Sequence, residues 1–92
     1  MQFEWDDAKN LENICKHKID FADVPKMFDS TMLIELDNRF DYGEERSRGI
    51  GFLGNGVAVV IWIERQNDII RIISARRANR YERQRFEQYL TY

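Results

Sequence analysis

The sequence predicts an α+β domain in which helices lie on a twisted antiparallel sheet. Three observations predict it. The first third carries apolar residues at helical spacing. The middle carries four β-rich segments separated by Asn, Gly and Asp turn signals. The C-terminal segment returns to a helical pattern behind a capping sequence. Ninety-two residues suit one domain spanning 1–92, with no linker, repeat or low-complexity stretch to divide it.

Phe3–Glu4–Trp5 reads either as a short opening strand or as an anchor for the first helix. Asp6 or Asp7 can cap that helix, which runs to about Lys18 with Ala8, Leu11, Ile14 and Cys15 on one face. Lys16, His17 and Lys18 fall in its last turn, where positive charge complements the helix dipole. Asp20 begins a second short helix containing Phe21, Val24 and Met27–Phe28. Pro25 limits it, because proline is comfortable only in a first turn. Thr31 to Asp37 reads as a strand, and the polar stretch Asn38 to Glu45, which contains Gly43, as a loop. Three strands come next, over Arg46–Leu53, Val57–Arg65 and Ile69–Arg77. Asn55–Gly56 favours a type I′ turn between the first two, and Asn67–Asp68 a tight turn between the second pair. Asn79 with Glu82 three residues later is a capping-box start for the last helix, whose apolar stripe is Phe86, Tyr89 and Leu90. The expected order is helix, helix, four-stranded antiparallel meander, helix.

Two-residue turns would fix the hairpin registers. Phe52, Ile50, Arg48 and Arg46 then oppose Val59, Ile61, Ile63 and Arg65, while Ile63, Ile61 and Val59 oppose Ile72, Ser74 and Arg76. One face carries Phe52, Ile50, Val59, Ile61, Ile63, Ile70 and Ile72 as the core, with Arg46, Arg48 and Arg65 at one margin and Arg76 at the other. The opposite face carries Gly49, Gly51, Val60, Trp62, Glu64, Arg71, Ile73 and Arg77, with Glu64 and Arg71 as cross-strand neighbours. A three-residue loop in the first hairpin would instead move Arg46 and Arg48 beside Glu64 and Trp62.

The net charge of −2 conceals an asymmetry. Residues 1–45 hold five Lys/Arg against twelve Asp/Glu, whereas residues 46–92 hold nine arginines, no lysine and four acids. Arginine's planar fork matches phosphate and carboxylate bidentately, so this half is suited to a polyanion; a solvated face of ordinary ion pairs is the structural counterpart. The longest apolar run, Val57 to Ile63, has seven residues, against the roughly 20 needed to span a bilayer. The acidic start has the wrong composition for a signal peptide, so a cytoplasmic protein with no membrane partner is expected. A lone cysteine, Cys15, excludes an internal disulfide. With His17 as the one histidine there is no zinc set, and no metal or other cofactor is expected.

Several signatures occur in order along almost the whole chain. They are Phe3–Glu4–Trp5–Asp6 with Ala8–Lys9–Asn10, then Lys16–His17, Asp20–Phe21 and Gly43–Glu44–Glu45–Arg46. Gly51, Glu64–Arg65, Ile70–Arg71–Ile72–Ile73–Ser74–Ala75–Arg76 and Glu82 complete the series. Together they resemble the BrnT toxins. The resemblance implies a RelE-like fold and a type II toxin that cleaves RNA and slows translation. It also implies a BrnA-like antitoxin with a ribbon-helix-helix module, in a heterotetramer or larger complex that represses its own promoter, so that DNA is reached only through the antitoxin. The chain departs from the pattern at Lys18, where the family commonly has glycine, at Pro25 within the second helix, and at Arg48 and Gly49, which occupy usually apolar or small positions.

RNA cleavage without a metal needs a base to activate the ribose 2′-hydroxyl, cations to stabilise the pentacovalent phosphorane, and an acid for the 5′-oxygen. Arg46, Arg65 and Arg76 are the candidates for phosphate stabilisation, because they sit at strand ends bordering a core. Their structural alternative is pairing with Glu44, Glu45 or the antitoxin. Arg48, Arg71 and Arg77 are candidate RNA-binding residues. His17 is the residue type that exchanges protons near neutral pH, and it also sits where a helix-end cation is stabilising. Glu64 is a second candidate base, or the partner of Arg71 in an exposed ion pair. Trp62 and Tyr81 can stack on bases or pack. Arg80, Arg83 and Arg85 alternate with Glu82 and Glu87 as a mostly solvated face. The competing function is a non-catalytic module that binds RNA or an acidic protein through the same arginines.

Overall fold

A computed structural model of the chain describes residues 1–38 and 43–91. The elements are β1 (Gln2–Glu4), α1 (Asp7–His17), a 3-10 helix (Phe21–Asp29), β2 (Met32–Leu36), β3 (Ser47–Leu53), β4 (Gly56–Arg65), β5 (Ile69–Arg77) and α2 (Arg80–Leu90). The α+β class is as expected, and the sheet differs from expectation. It has five strands in the order β1-β5-β4-β3-β2, and it is mixed, because β1 runs parallel to β5 through Gln2–Ile69, Phe3–Ile70 and Glu4–Arg71. The strand alternative at Phe3–Glu4–Trp5 forms, one residue earlier, as β1; its pairing with a distant strand has no turn signal to announce it. The antiparallel meander is therefore four strands of five. Residues 39–42 of the expected polar loop lie outside the described residues.

Helix α1 starts as its acidic residues predict, with the Asp6 carboxylate accepting the N–H groups of Ala8 and Lys9. It ends on Lys18 at φ 60, whose N–H donates to the Ile14 carbonyl. That left-handed conformation is the one glycine adopts without cost, a physical reason for a glycine preference at this position. Two asparagines then tie α1 to its surroundings. Asn10 donates to the Asp20 carboxylate and accepts the Phe21 N–H. Asn13, 6% exposed, donates to the carbonyls of Ile19 and Ala75 and accepts the Ala75 N–H. Its amide thus imitates a neighbouring strand's peptide on the β5 edge that β1 leaves uncovered.

The segment after Asp20 is a 3-10 helix of nine residues with Pro25 inside it. At three residues per turn, Phe21, Val24 and Met27 stack on one face, and all three are fully buried. The apolar period of three, rather than 3.6, distinguishes it from the α-helix the sequence suggests.

Both hairpin turns differ by one residue from expectation. The β3–β4 turn is Gly54–Asn55, closed by a Leu53–Gly56 pair, with Gly54 at φ 61. Phe52 therefore faces Val57, two residues from the expected partner, and an even shift preserves the faces. The β4–β5 loop has three residues, Gln66 to Asp68, with Asn67 and Asp68 both at positive φ. A bulge at Ile61/Trp62 absorbs the extra residue, so Val59–Arg76 and Ile61–Ser74 pair as expected, while Ile63 pairs with Arg71 and Glu64 with Ile70. The expected Glu64–Arg71 and Ile63–Ile72 pairs do not form.

The bulge decides which face holds the core. Ile70 and Ile72 turn to the side of Gly49, Gly51, Val60 and Trp62, and join Phe21, Val24, Met27 and Met32 in the larger cluster. The face expected to be secondary is the main core. Gly49 is small because Trp62 lies against it: a Cβ there would stand 2.7 Å from the indole ring. The other face holds a smaller cluster of Ile50, Val59 and Phe86 under one end of α2. Tyr89 and Leu90 are 47% and 41% exposed, so the apolar stripe of α2 contracts to Phe86, whose ring meets Phe52 edge-on at 5.0 Å. Among the described residues no helix is long and apolar enough to cross a membrane.

Candidate functional site

Strand alternation sets Arg48, opposite Ile61, and Arg76, opposite Val59, on the face that carries α2. Arg65 and Arg71 join them farther along, either side of Ile63, and Arg46 lies one step beyond the Ser47–Trp62 pair on the same side. Arg46, Arg48, Arg65 and Arg76 thus share one face, and the bulge brings Arg71 onto it from the side where it was expected. Arg77 stays on the opposite face and donates to the Leu53 carbonyl at 2.7 Å.

At the α2 end the arginines close around two carboxylates. Arg76 donates from both terminal nitrogens to Glu82, at 2.8 Å each, and Arg48 donates to Glu82 and to Glu35. Arg85 donates twice to Glu35, at 3.0 and 2.7 Å, and stands 5.9 Å from the Tyr81 ring centre. Glu82 also accepts the Asn79 N–H at 2.9 Å and completes the predicted capping box. It is 3% exposed. The Arg76 hydrogen bonds outweigh its desolvation and hold its carboxyl down at about 2. Glu35 is lowered in the same way, first by the Arg85 hydrogen bond. The Arg48 Nε is buried without a hydrogen-bond partner.

The far end of the face is looser. Arg71 donates to Glu4 at 2.7 Å, Arg65 lies 3.7 Å from the same carboxylate with its side chain half exposed, and Arg46 lies 3.9 Å from Glu44. Arg65 and Arg76 are about 20 Å apart along β4 at the usual rise of a strand. The three expected phosphate-stabilising arginines therefore occupy two ends of one face. The Glu44 pairing is as expected, whereas Glu4, Glu35 and the side-chain role of Glu82 are new. The excess of arginine on one face is the available signal, since charges partly removed from water recruit counter-charges.

His17 lines a groove between α1 and β5 with Lys9, Lys16, Ile73 and Ser74, two residues before Arg76 on β5. Nothing in the sequence marks Lys9 and Lys16 for this groove beyond their place on α1. Glu64 pairs with Ile70 and falls on the face opposite Arg65 and Arg71, so it is not brought to the arginines. Trp62, 2% exposed and packed edge-on against Phe28 at 4.9 Å, is core and offers no stacking surface. Arg80 and Arg83 are solvated as expected; Arg85 is drawn into the cluster instead.

A sequence profile described as "Ribonuclease toxin, BrnT, of type II toxin-antitoxin system" matches residues 5–82. Among solved structures, the 1.1 Å crystal structure of the Brucella abortus ribonuclease toxin BrnT is similar to this one. Its TM-score is 0.68 at 29% sequence identity, over 87% of this chain and 99% of that one. No curated protein sequence matches the chain. With the profile covering most of the chain and the fold shared with a solved relative, the chain belongs to the BrnT family of ribonuclease toxins of type II toxin–antitoxin systems.

Proposed function

We propose that this toxin, a single RelE-like domain over residues 1–92, cleaves RNA in the cytoplasm without a metal ion, on the face that carries α2, and so slows translation. The observation that carries this reading is the alignment of Arg46, Arg48, Arg65, Arg71 and Arg76 on one sheet face. Glu4, Glu35, Glu44 and Glu82 pair with these arginines and with Arg85, and buried Asp37 lies beside Arg46 on the same face, so six cations stand against five carboxylates among its described residues. Arg48 and Arg76 present held cations to the phosphorane, and Arg46, Arg65 and Arg71 guide the flanking backbone. His17, in its groove beside Ser74, is the candidate proton-transfer group; the position of Glu64 on the opposite face weighs against it. The same face is the surface that a ribbon-helix-helix antitoxin covers, in a complex with at least two copies of each chain.

Incubation of the purified chain with bacterial RNA, with and without EDTA, tests the reaction. Cleavage that persists in EDTA is expected. Arg76→Ala should lose about 3–4 kcal/mol of transition-state stabilisation, whereas Arg65→Ala, at the far end of the face, should chiefly weaken RNA binding, each with circular dichroism unchanged. Arg→Lys should rescue poorly, because a point charge cannot replace the fork. His17→Ala separates a proton-transfer role, which abolishes cleavage, from a helix-end charge, which costs only stability. RNA bound but left intact would instead favour a binding module. Toxin and antitoxin that run as separate monomers on sizing would refute the assembly.

A further inference from the structure

We infer that Glu82 is the positioning residue of the arginine cluster, its carboxylate holding the forks of Arg48 and Arg76 where they receive the scissile phosphate. This rests on reading that cluster as the phosphate-stabilising site. Arg48 and Arg76 come from strands either side of β4, opposite Ile61 and Val59. Two long cationic side chains this close repel each other, and each has many rotamers to choose among. Arg76 Nη1 also donates to the neighbouring Arg77 carbonyl at 3.3 Å. Glu82 meets both arginines. One of its oxygens accepts from Arg76 Nη1 and the Asn79 N–H, the other from Arg76 Nη2 and Arg48 Nη2. That fills the roughly four lone-pair sites of a carboxylate.

A saturated, buried carboxylate anchored in the first turn of its own helix is a fixed strut. It has no oxygen left to take a proton from a ribose hydroxyl, and with its carboxyl held at about 2 it carries no proton to give near neutral pH. What it supplies is geometry. Donors already in place need no reorganisation when charge develops on the phosphate. Glu35 braces Arg48 from the other side and binds Arg85 in turn.

The test is the rate at which the purified full chain cuts a fluorophore-labelled, mixed-sequence single-stranded RNA. Its variants are Glu82→Gln, Glu82→Asp, Arg76→Ala, Glu82→Gln with Arg76→Ala, and Arg83→Ala. Glu82→Gln should lower kcat by about 30–100-fold with KM within about threefold, and leave the inflections of the pH profile where they are. The double variant should be no slower than Arg76→Ala alone, since both changes disable one unit. Arg83→Ala, on the solvated side of α2, should stay within about twofold of wild type. Should Glu82→Gln not fold at the assay temperature, Glu82→Asp carries the same test, because the shorter side chain cannot span both forks. Arg76→Ala inactive with Glu82→Gln fully active would overturn the positioning role and leave the arginine site standing. Losses that multiply in the double variant would overturn it as well. A faster Glu82→Gln would make the carboxylate a competitor of the phosphate rather than a strut. Full activity of Arg76→Ala would overturn the site and this inference together.

Discussion

Between the 3-10 helix and the sheet, Phe21 and Met27 of the helix and Trp62, Val60 and Ile72 of the strands are each 2% exposed or less. Across the same sheet, five buried apolar side chains, Ile50, Val59, Ile61, Ile63 and Phe86, share the surface with six arginines and their carboxylates. The first face gains from removing apolar area from water, and the Trp62 N–H is the buried side-chain donor it leaves unpaired. The second face must keep its cations charged, ordered and reachable, and each guanidinium costs desolvation that a carboxylate has to offset. One face therefore holds the chain together and the other is held in shape by it. Changes on the two faces should report in different assays.

The largest expected effect is on the apolar face. Trp62→Ala should cost about 3–5 kcal/mol in denaturant unfolding, a large part of the stability of a domain this size. The division of labour between the faces would fail if that variant unfolded like wild type. At the sheet edge, Asn13→Ala leaves the N–H and carbonyl of Ala75 and the Ile19 carbonyl without their partner. A loss of about 2–3 kcal/mol is expected, with faster hydrogen exchange at Ala75. Unchanged exchange there would mean that water replaces the asparagine at no cost.

A third outcome sharpens the charged face. The Glu82 carboxyl lies at about 2 in the folded chain against an ordinary 4.5. Because the folded value is the lower one, its stabilisation is complete above about pH 5.5 and is lost as pH falls through 4.5 towards 2. With solvent screening of the partly exposed Arg76, about 2 kcal/mol should disappear over that window. Glu35, also lowered, adds to it in the same direction. Glu82→Gln should flatten that part of the stability–pH curve, and an unchanged slope would argue against a buried ionised Glu82. The smallest effect belongs to Arg83 on the solvated side of α2. Arg83→Ala should change stability by less than about 0.5 kcal/mol and RNA binding only slightly; a loss as large as that of Arg76→Ala would mean the site extends onto the helix.

Local chemistry determined most of the elements. The Asp6 cap, the Asn79–Glu82 capping box that starts α2 and the four long strands depend on neighbours within a few residues, and they are legible in the sequence. So is the placement of Arg46, Arg48, Arg65 and Arg76 on a common face, because side-chain alternation survives a register shift of two. What the sequence could not carry was decided by contacts between distant segments. The strand offered at Phe3–Trp5 finds its partner only because the β5 edge is there to receive it. The bulge at Ile61/Trp62 answers the length of a loop farther along the same strand. It alone moves Ile70 and Ile72 into the main core and Arg71 onto the arginine face. The counter-charges Glu4, Glu35 and Glu82 lie on three separate elements, and their meeting with the arginines is a property of the packed sheet and helix. Composition by itself set the need for such partners, since arginines this close cannot be left uncompensated. Which carboxylates answer it depends on where the chain returns in space, and that is written in no local pattern.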